Sequence, residues 1–336
     1  MFDHTFHFSQ TFSMDEIALL QAKSEAWGRS RFTETGQYGC YGRGPGQHSL
    51  CVASMALLPD SEGIIVLDWM LCKLCVFGLH GGLLREFGTK GEGDGQFQRP
   101  CGVAVSTRGQ VFVSDHSQHR IQMFTKEGVF FRAFGSKGSG DGQFHCPTSM
   151  CFMLEHLFEE HLVICDEGNN RVQLFLECGM FVRSFGMEQS QDGSNLTPEF
   201  VCSDWRDGSI VVCGKGENDG TEFHSVQQFT AAGSYVRTIG SEGDGPGQFR
   251  DPQGVCISPY GHVLVADYAK GEVAVFDAAG EYVQSVGGCA SVWRVEADWN
   301  GEHLYVIKDR IPSGGVFFFE RHNPPVWVVD NPDESV

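Results

Sequence analysis

The sequence predicts an all-β protein: a six-bladed β-propeller of four-stranded antiparallel blades, with one short helix near the N-terminus. Three markers running in phase predict it. A glycine-rich element recurs as GPGQH at 44–48, GDGQF at 93–97 and 140–144, and GPGQF at 245–249. Its successive spacings are 49, 47 and 105 residues, the last being two periods. An apolar residue followed by glycine closes each unit, at Phe87-Gly88, Phe134-Gly135, Phe185-Gly186, Ile239-Gly240 and Val286-Gly287. Within the units, Asp68, Asp115, Asp166 and Asp267 each follow a β-rich run and precede Phe77, Phe124, Phe175 and Phe276 by nine residues. One four-stranded sheet per period of about 40–50 residues is the signature of a propeller.

Residues 1–30 stand outside the repeat. Ser13 to Glu16 fits a capping box ahead of IALLQAKSEAW, which predicts a short amphipathic helix lying as a lid on the propeller. Residues 31–331 are the expected propeller and 332–336 a tail. The second unit shows the strand pattern: GVAVS (102–106), QVFVS (110–114), RIQMF (120–124) and VFFRAFG (129–135), separated by glycine or polar turns. The innermost strands are expected near 50–57, 101–106, 148–153, 199–205, 253–258 and 292–298. A lone sheet of this kind cannot bury both faces, whereas radial packing on two neighbours can.

Units four and six are degenerate. Cys213-Gly214 and Lys308 stand where the aspartate is expected. Extra segments occur at LEHLFEEHL (154–162) and GKGENDGTEFHS (214–225). Closing the ring requires an outer strand from the far end of the chain. Both RFTETG (31–36) and PVWVVDN (325–331) qualify, and the sequence leaves the two open.

Composition narrows the function. The 336 residues carry 24 basic and 43 acidic side chains, a net charge of −19, which repels nucleic-acid phosphate and anionic lipid at long range. No run of about 18 apolar residues could span a bilayer, and the first residues lack the basic and apolar regions of a secretory signal. The expectation is a monomeric cytoplasmic protein with no membrane association. Its 13 cysteines are then reduced and mostly buried as small apolar groups. Cys72 and Cys75 have CxxC spacing, but no second pair or matched histidines complete a zinc site.

The unit 91–135 and the turn DEGNNRVQLF (166–175) resemble the NHL repeat, and the chain resembles the NHL domain of tripartite-motif proteins, without RING or B-box. The resemblance is close over 88–186 and 240–287. It implies six blades, with the loops before strand one and between strands two and three on one face, and it implies that this face binds protein or RNA.

Asp115 with Arg120, and Asp166 with Asn169 and Arg171, recur at one place in their repeats, so they are expected to fix the turn. Positions that differ between repeats on the same face are the candidates for partner contact: Gln98, Arg99, His116, His119, His145, Arg250 and Tyr268. The leading expectation is a non-catalytic scaffold binding a protein partner, with a substrate adaptor in ubiquitin transfer as its finer form. RNA binding is an alternative, disfavoured because the loops carry acids beside their bases. A lyase or hydrolase with a metal in the channel is another. The positions after the recurring prolines are Cys101, Thr148 and Gln253, not histidines, and no cofactor is expected.

Overall fold

Short runs of β-branched and aromatic residues, cut by glycine turns, become strands because each can bury side chains on both faces of its sheet. The computed structural model describes residues 31–38, 40–41, 47–48, 52–59, 62–78, 81–155, 159–187, 196–218, 221–287, 291–298, 300–301, 303–308 and 315–322. Among them are six four-stranded antiparallel sheets. Blade 1 comprises Val52–Leu57, Ile64–Asp68, Lys73–Phe77 and Leu83–Phe87. Blade 2 comprises Pro100–Val105, Val111–Asp115, Arg120–Phe124 and Phe130–Phe134. Blade 3 comprises Pro147–Glu155, Glu159–Asp166, Arg171–Leu176 and Phe181–Phe185. Blade 4 comprises Thr197–Ser203, Ile210–Asn218, Thr221–Phe229 and Tyr235–Ile239. Blade 5 comprises Pro252–Ile257, Val263–Asp267, Glu272–Phe276 and Tyr282–Val286.

Blade 6 is built from both ends of the chain. Val292–Ala297, His303–Lys308 and Gly315–His322 are joined by Arg31–Tyr38 as the outer strand, with Arg31 opposite His322 and Tyr38 opposite Val316. Segment 31–38 therefore occupies the open edge for which 31–36 and 325–331 competed. The segment 325–331 and the expected helix within 1–30 lie outside the described residues. The six innermost strands touch one another in sequence, and the first touches the last. The ring is closed.

The two extra segments lengthen hairpins. The first extends the pairing of strands one and two of blade 3 as far as Glu155 opposite Glu159. The second extends strands two and three of blade 4 as far as Asn218 opposite Thr221. Because the strands alternate in direction, the two hairpins project from opposite faces of the ring.

Packing repeats from blade to blade. Phe97 is fully buried among Cys72 and Leu74 of blade 1 and Val113 and Phe124 of blade 2. Phe144 sits likewise between blades 2 and 3, and Phe249 between blades 4 and 5. Each ring lies against the glycine that closes the preceding unit. Gly135 has φ +90°, and a Cβ there would fall 2.5 Å from the Phe144 ring, so glycine is required on both counts. At the rim, Arg132 donates to the Cys178 carbonyl of the next blade, Arg183 to that of Ala231, and Arg237 to that of Ala279.

Two substitutions separate the buried wedges from the outer surface. Phe144→Ala is expected to lower unfolding free energy by about 4 kcal/mol. Phe131→Ala, at a side chain 59% exposed, should change it by no more than about 0.5 kcal/mol. Urea titration followed by tryptophan fluorescence compares the two.

Candidate binding face

The face is organised from its repeat aspartates upward. Asp115 ends the second strand of its blade, opposite Pro100, and is fully buried. Its carboxylate accepts from the backbone N–H groups of Gln98 (2.9 Å), Arg99 (3.1 Å) and Gln118 (3.2 Å). Asp267 does the same for Arg250 (2.8 Å), Asp251 (3.2 Å) and Lys270 (3.1 Å). Asp166 accepts from the His145 N–H (2.7 Å), Asn169 Nδ2 (2.8 Å), Arg171 Nε (2.8 Å) and Gln173 Nε2 (2.9 Å). One carboxylate thus holds both the segment before strand one and the turn between strands two and three. Buried donors that would otherwise be orphaned are satisfied.

A basic residue within or just after this turn grips the glycine-rich loop instead of completing a ring of ion pairs. Arg120 Nη2 donates to the carbonyls of Glu92 (3.0 Å), Gly93 (2.7 Å) and Gln96 (3.4 Å). Arg171 Nη2 donates to those of Gly140 and Gln143, and Lys270 Nζ to those of Gly245 and Gln248. Arg171 also pairs with Asp166, whereas no ion pair joins Arg120 to Asp115 among the described residues. Gln96, Gln143 and Gln248 close their loops by accepting from the N–H of Gly93, Gly140 and Gly245. The GDGQF glycines serve this tight loop and not a phosphate.

Upon this frame the side chains differ. Trp69, His116, Glu167 and Tyr268 each directly follow the aspartate of their blade. Trp69 is 40% exposed and Met70 50%; neither is among the sequence candidates, although Trp69 holds the repeat position of His116 and Tyr268. His116 Nε2 lies 3.7 Å from Glu167, and that contact, with Lys215 and Arg99 adding to it, holds the Glu167 carboxyl below its usual range. The exposed Gln98 donates to Glu92 (2.6 Å), the exposed Arg250 pairs with Asp244, and Tyr268 packs edge-on against Trp293.

His119 and His145 pack as a tilted ring pair with centroids 5.6 Å apart. His119 Nδ1 accepts the Cys146 N–H at 3.0 Å across the blade boundary. Burial, reinforced by Lys137 and His145, lowers its pKa and keeps the ring neutral for that role. The seven candidates are therefore spread around the face; His119 meets His145, and Arg99 and His116 flank Glu167.

Cys72 is the last residue of its turn, at φ 52°, the position filled by His119, Asn170 and Gly271 in other blades. Its thiol is buried against the carbonyls of Trp69 and Gln98, and burial raises the Cys75 thiol to about 12. The CxxC spacing is turn and strand geometry. Among the described residues no group of three or more histidine, cysteine, aspartate or glutamate side chains could hold a metal ion. No helix among them is long and apolar enough to cross a membrane.

Beneath the face, the channel carries two charged side chains from blade 6, Arg294 and Glu296. Burial raises the Glu296 carboxyl to about 7 and lowers Arg294 to about 10. The sequence analysis does not single them out; the available signal is the run WRVEA, since charges two apart on a strand share one side.

A family profile described as NHL repeat matches residues 97–124 and 249–276. Protein brain tumor of Drosophila melanogaster is 27% identical over 202 residues, 60% of this chain and 14% of that protein. B-box type zinc finger protein ncl-1 of Caenorhabditis elegans is 37% identical over 127 residues, 38% of this chain and 14% of that protein. The matched region is thus a small part of either relative. A gluconolactonase from Xanthomonas campestris superposes with a TM-score of 0.58 at 12% identity, covering 90% of this chain and 93% of that one, a likeness of fold.

Asp115→Ala would strand three backbone donors and is expected to cost about 3 kcal/mol of stability. Arg99→Ala, on the exposed side of the same segment, should cost no more than about 0.5 kcal/mol. Urea midpoints read both.

Proposed function

This chain is a six-bladed β-propeller with NHL repeats matched in two of its blades, and on that premise we propose that it is a non-catalytic, cytoplasmic binding scaffold whose loop face holds a protein partner. The observation that carries this reading is the contrast between frame and side chains. The same carboxylate fixes the turn in blades 2, 3 and 5, while the next residue is His116, Glu167 or Tyr268. A rigid frame with variable projecting groups suits recognition of one specific surface. Aromatic anchors with an arginine nearby are the residue types that dominate protein interfaces.

Charge pairing favours protein over RNA. Arg250 is paired with Asp244, Lys215 with Glu199 and Glu222, and Lys270 with Glu272. Phosphate binding needs a net basic track, which these pairs cancel. In the finer form of the proposal the bound protein is a substrate that a ubiquitin ligase modifies while the propeller presents it.

Affinity capture with the chain carrying Arg99→Glu and His116→Ala tests the face. Recovery of a stoichiometric partner by the wild type, and its loss with the variant, is the expected result. Undiminished recovery by the variant would move the interface elsewhere. Filter binding of single-stranded RNA across a salt series should show weak, shallow retention. A steep negative salt slope would replace protein by RNA. The adaptor form requires that ubiquitination of the captured partner fall when the variant replaces the wild type.

A further inference from the structure

The channel contains a buried cation with no ion-pair partner among the described residues. Arg294 is 9% exposed. It rises from the innermost strand of blade 6 and crosses the channel to blades 3 and 4. There Nη1 donates to Ser149 Oγ at 3.2 Å, and the guanidinium lies 4.5 Å over the Phe200 ring. Nε is buried with no hydrogen-bond partner. Among the described residues no carboxylate lies within 4 Å of the group. Glu296, two residues along, is near enough to influence it but not to pair. Buried charges are ordinarily paired and hydrogen-bonded on all sides, because an uncompensated one is strongly destabilising.

Arg294 borders a cavity of about 180 Å³ whose other walls include Met55, Val103, Met150, Phe152 and Ile257. The lining reaches the ends of the innermost strands, at Leu57, Val105, Ala297 and Asp298, on the side opposite the loop face. We propose that this cavity binds a short-chain monocarboxylate, whose head group supplies the missing partner of Arg294 and whose hydrocarbon tail lies along the methionine and aliphatic wall.

Three features select that class. The guanidinium fork matches a carboxylate in two parallel hydrogen bonds. One cation balances one negative charge, so a dianion would remain uncompensated. The volume is below the roughly 300 Å³ at which drug-sized sites begin, which restricts the ligand to a small acid. The inference does not depend on the loop-face partner, because the two sites lie on different surfaces.

Glu296 makes binding sensitive to pH. Arg294 from its own strand and the thiols of Cys151, Cys202 and Cys256 from blades 3 to 5 surround it, and Tyr305 is its register partner on the adjoining strand; Asp298 at the mouth is paired with His303. Below about 7 its carboxyl is protonated and leaves Arg294 to the ligand. Above that value it ionises and repels an incoming anion, so affinity falls as pH rises.

Hexanoate titrated into the full chain, followed by calorimetry and by the melting temperature, tests the site. At about pH 6 the wild type should bind it saturably, and Arg294→Met should bind about tenfold or more weakly while still melting cooperatively. Glu296→Gln should match the wild type at that pH and keep its affinity to about pH 8. Absence of saturable hexanoate binding in the wild type would overturn the proposal. So would equal binding by folded Arg294→Met or, should that variant not fold, an unchanged pH dependence in Glu296→Gln. Inorganic phosphate binding as tightly as hexanoate would overturn the carboxylate assignment.

Discussion

A phenylalanine ring pressed against a bare glycine backbone is the contact on which this ring of sheets depends. Phe97, Phe144 and Phe249 each come from the loop that leads into one blade, and each fills the seam with the blade before it. The closing glycine makes room, and the loop's own glutamine and a basic side chain from the following turn hold the phenylalanine in place. Sequence period, blade spacing and seam packing are therefore one constraint seen at three scales. Where the wedge is absent, before blade 4, Met187 and Leu196 fill the seam instead.

Rigidity at the seams frees the loop face to vary. Backbone donors of the segments before strand one are taken up by a buried carboxylate, so the outward side chains carry little of the fold's stability. Blades 4 and 6 lack that carboxylate. In blade 4 a long hairpin stands in its place, with Lys215 bridging Glu199 and Glu222 and His224 lying 3.6 Å from Asp251. The face is thus uneven: aromatic and sulfur-bearing at Trp69 and Met70, and alternately charged around blade 4.

Much of the architecture could be read from the residues, because a repeat reports each local rule several times. The expected innermost strands fall within a few residues of those found, including the ones in the degenerate units four and six. The sequence leaves RFTETG and PVWVVDN as alternatives for ring closure, because pairing across nearly three hundred residues leaves no local mark. The two extra segments read as departures from the repeat, and proved to be longer pairings of strands already counted. At the site, Asp115 and Asp166 were legible as turn formers. The hydrogen bond from the Cys146 N–H to His119 was not, because it joins different blades. Trp69 lies in a weakly matching repeat, and the spacing of Arg294 and Glu296 shows that they share a side of their strand without showing that this side faces the channel.

Closure by the first described strand also fixes the geometry of fusion. Arg31 and His322 are direct cross-strand neighbours, at the end of blade 6 remote from the turns that follow the repeat aspartates. The ring therefore begins and ends at a single spot, like a bracelet at its clasp. A neighbouring module anchored there would hang behind the disc and leave its front unobstructed, and the entire ring could be inserted into a host protein as a cassette.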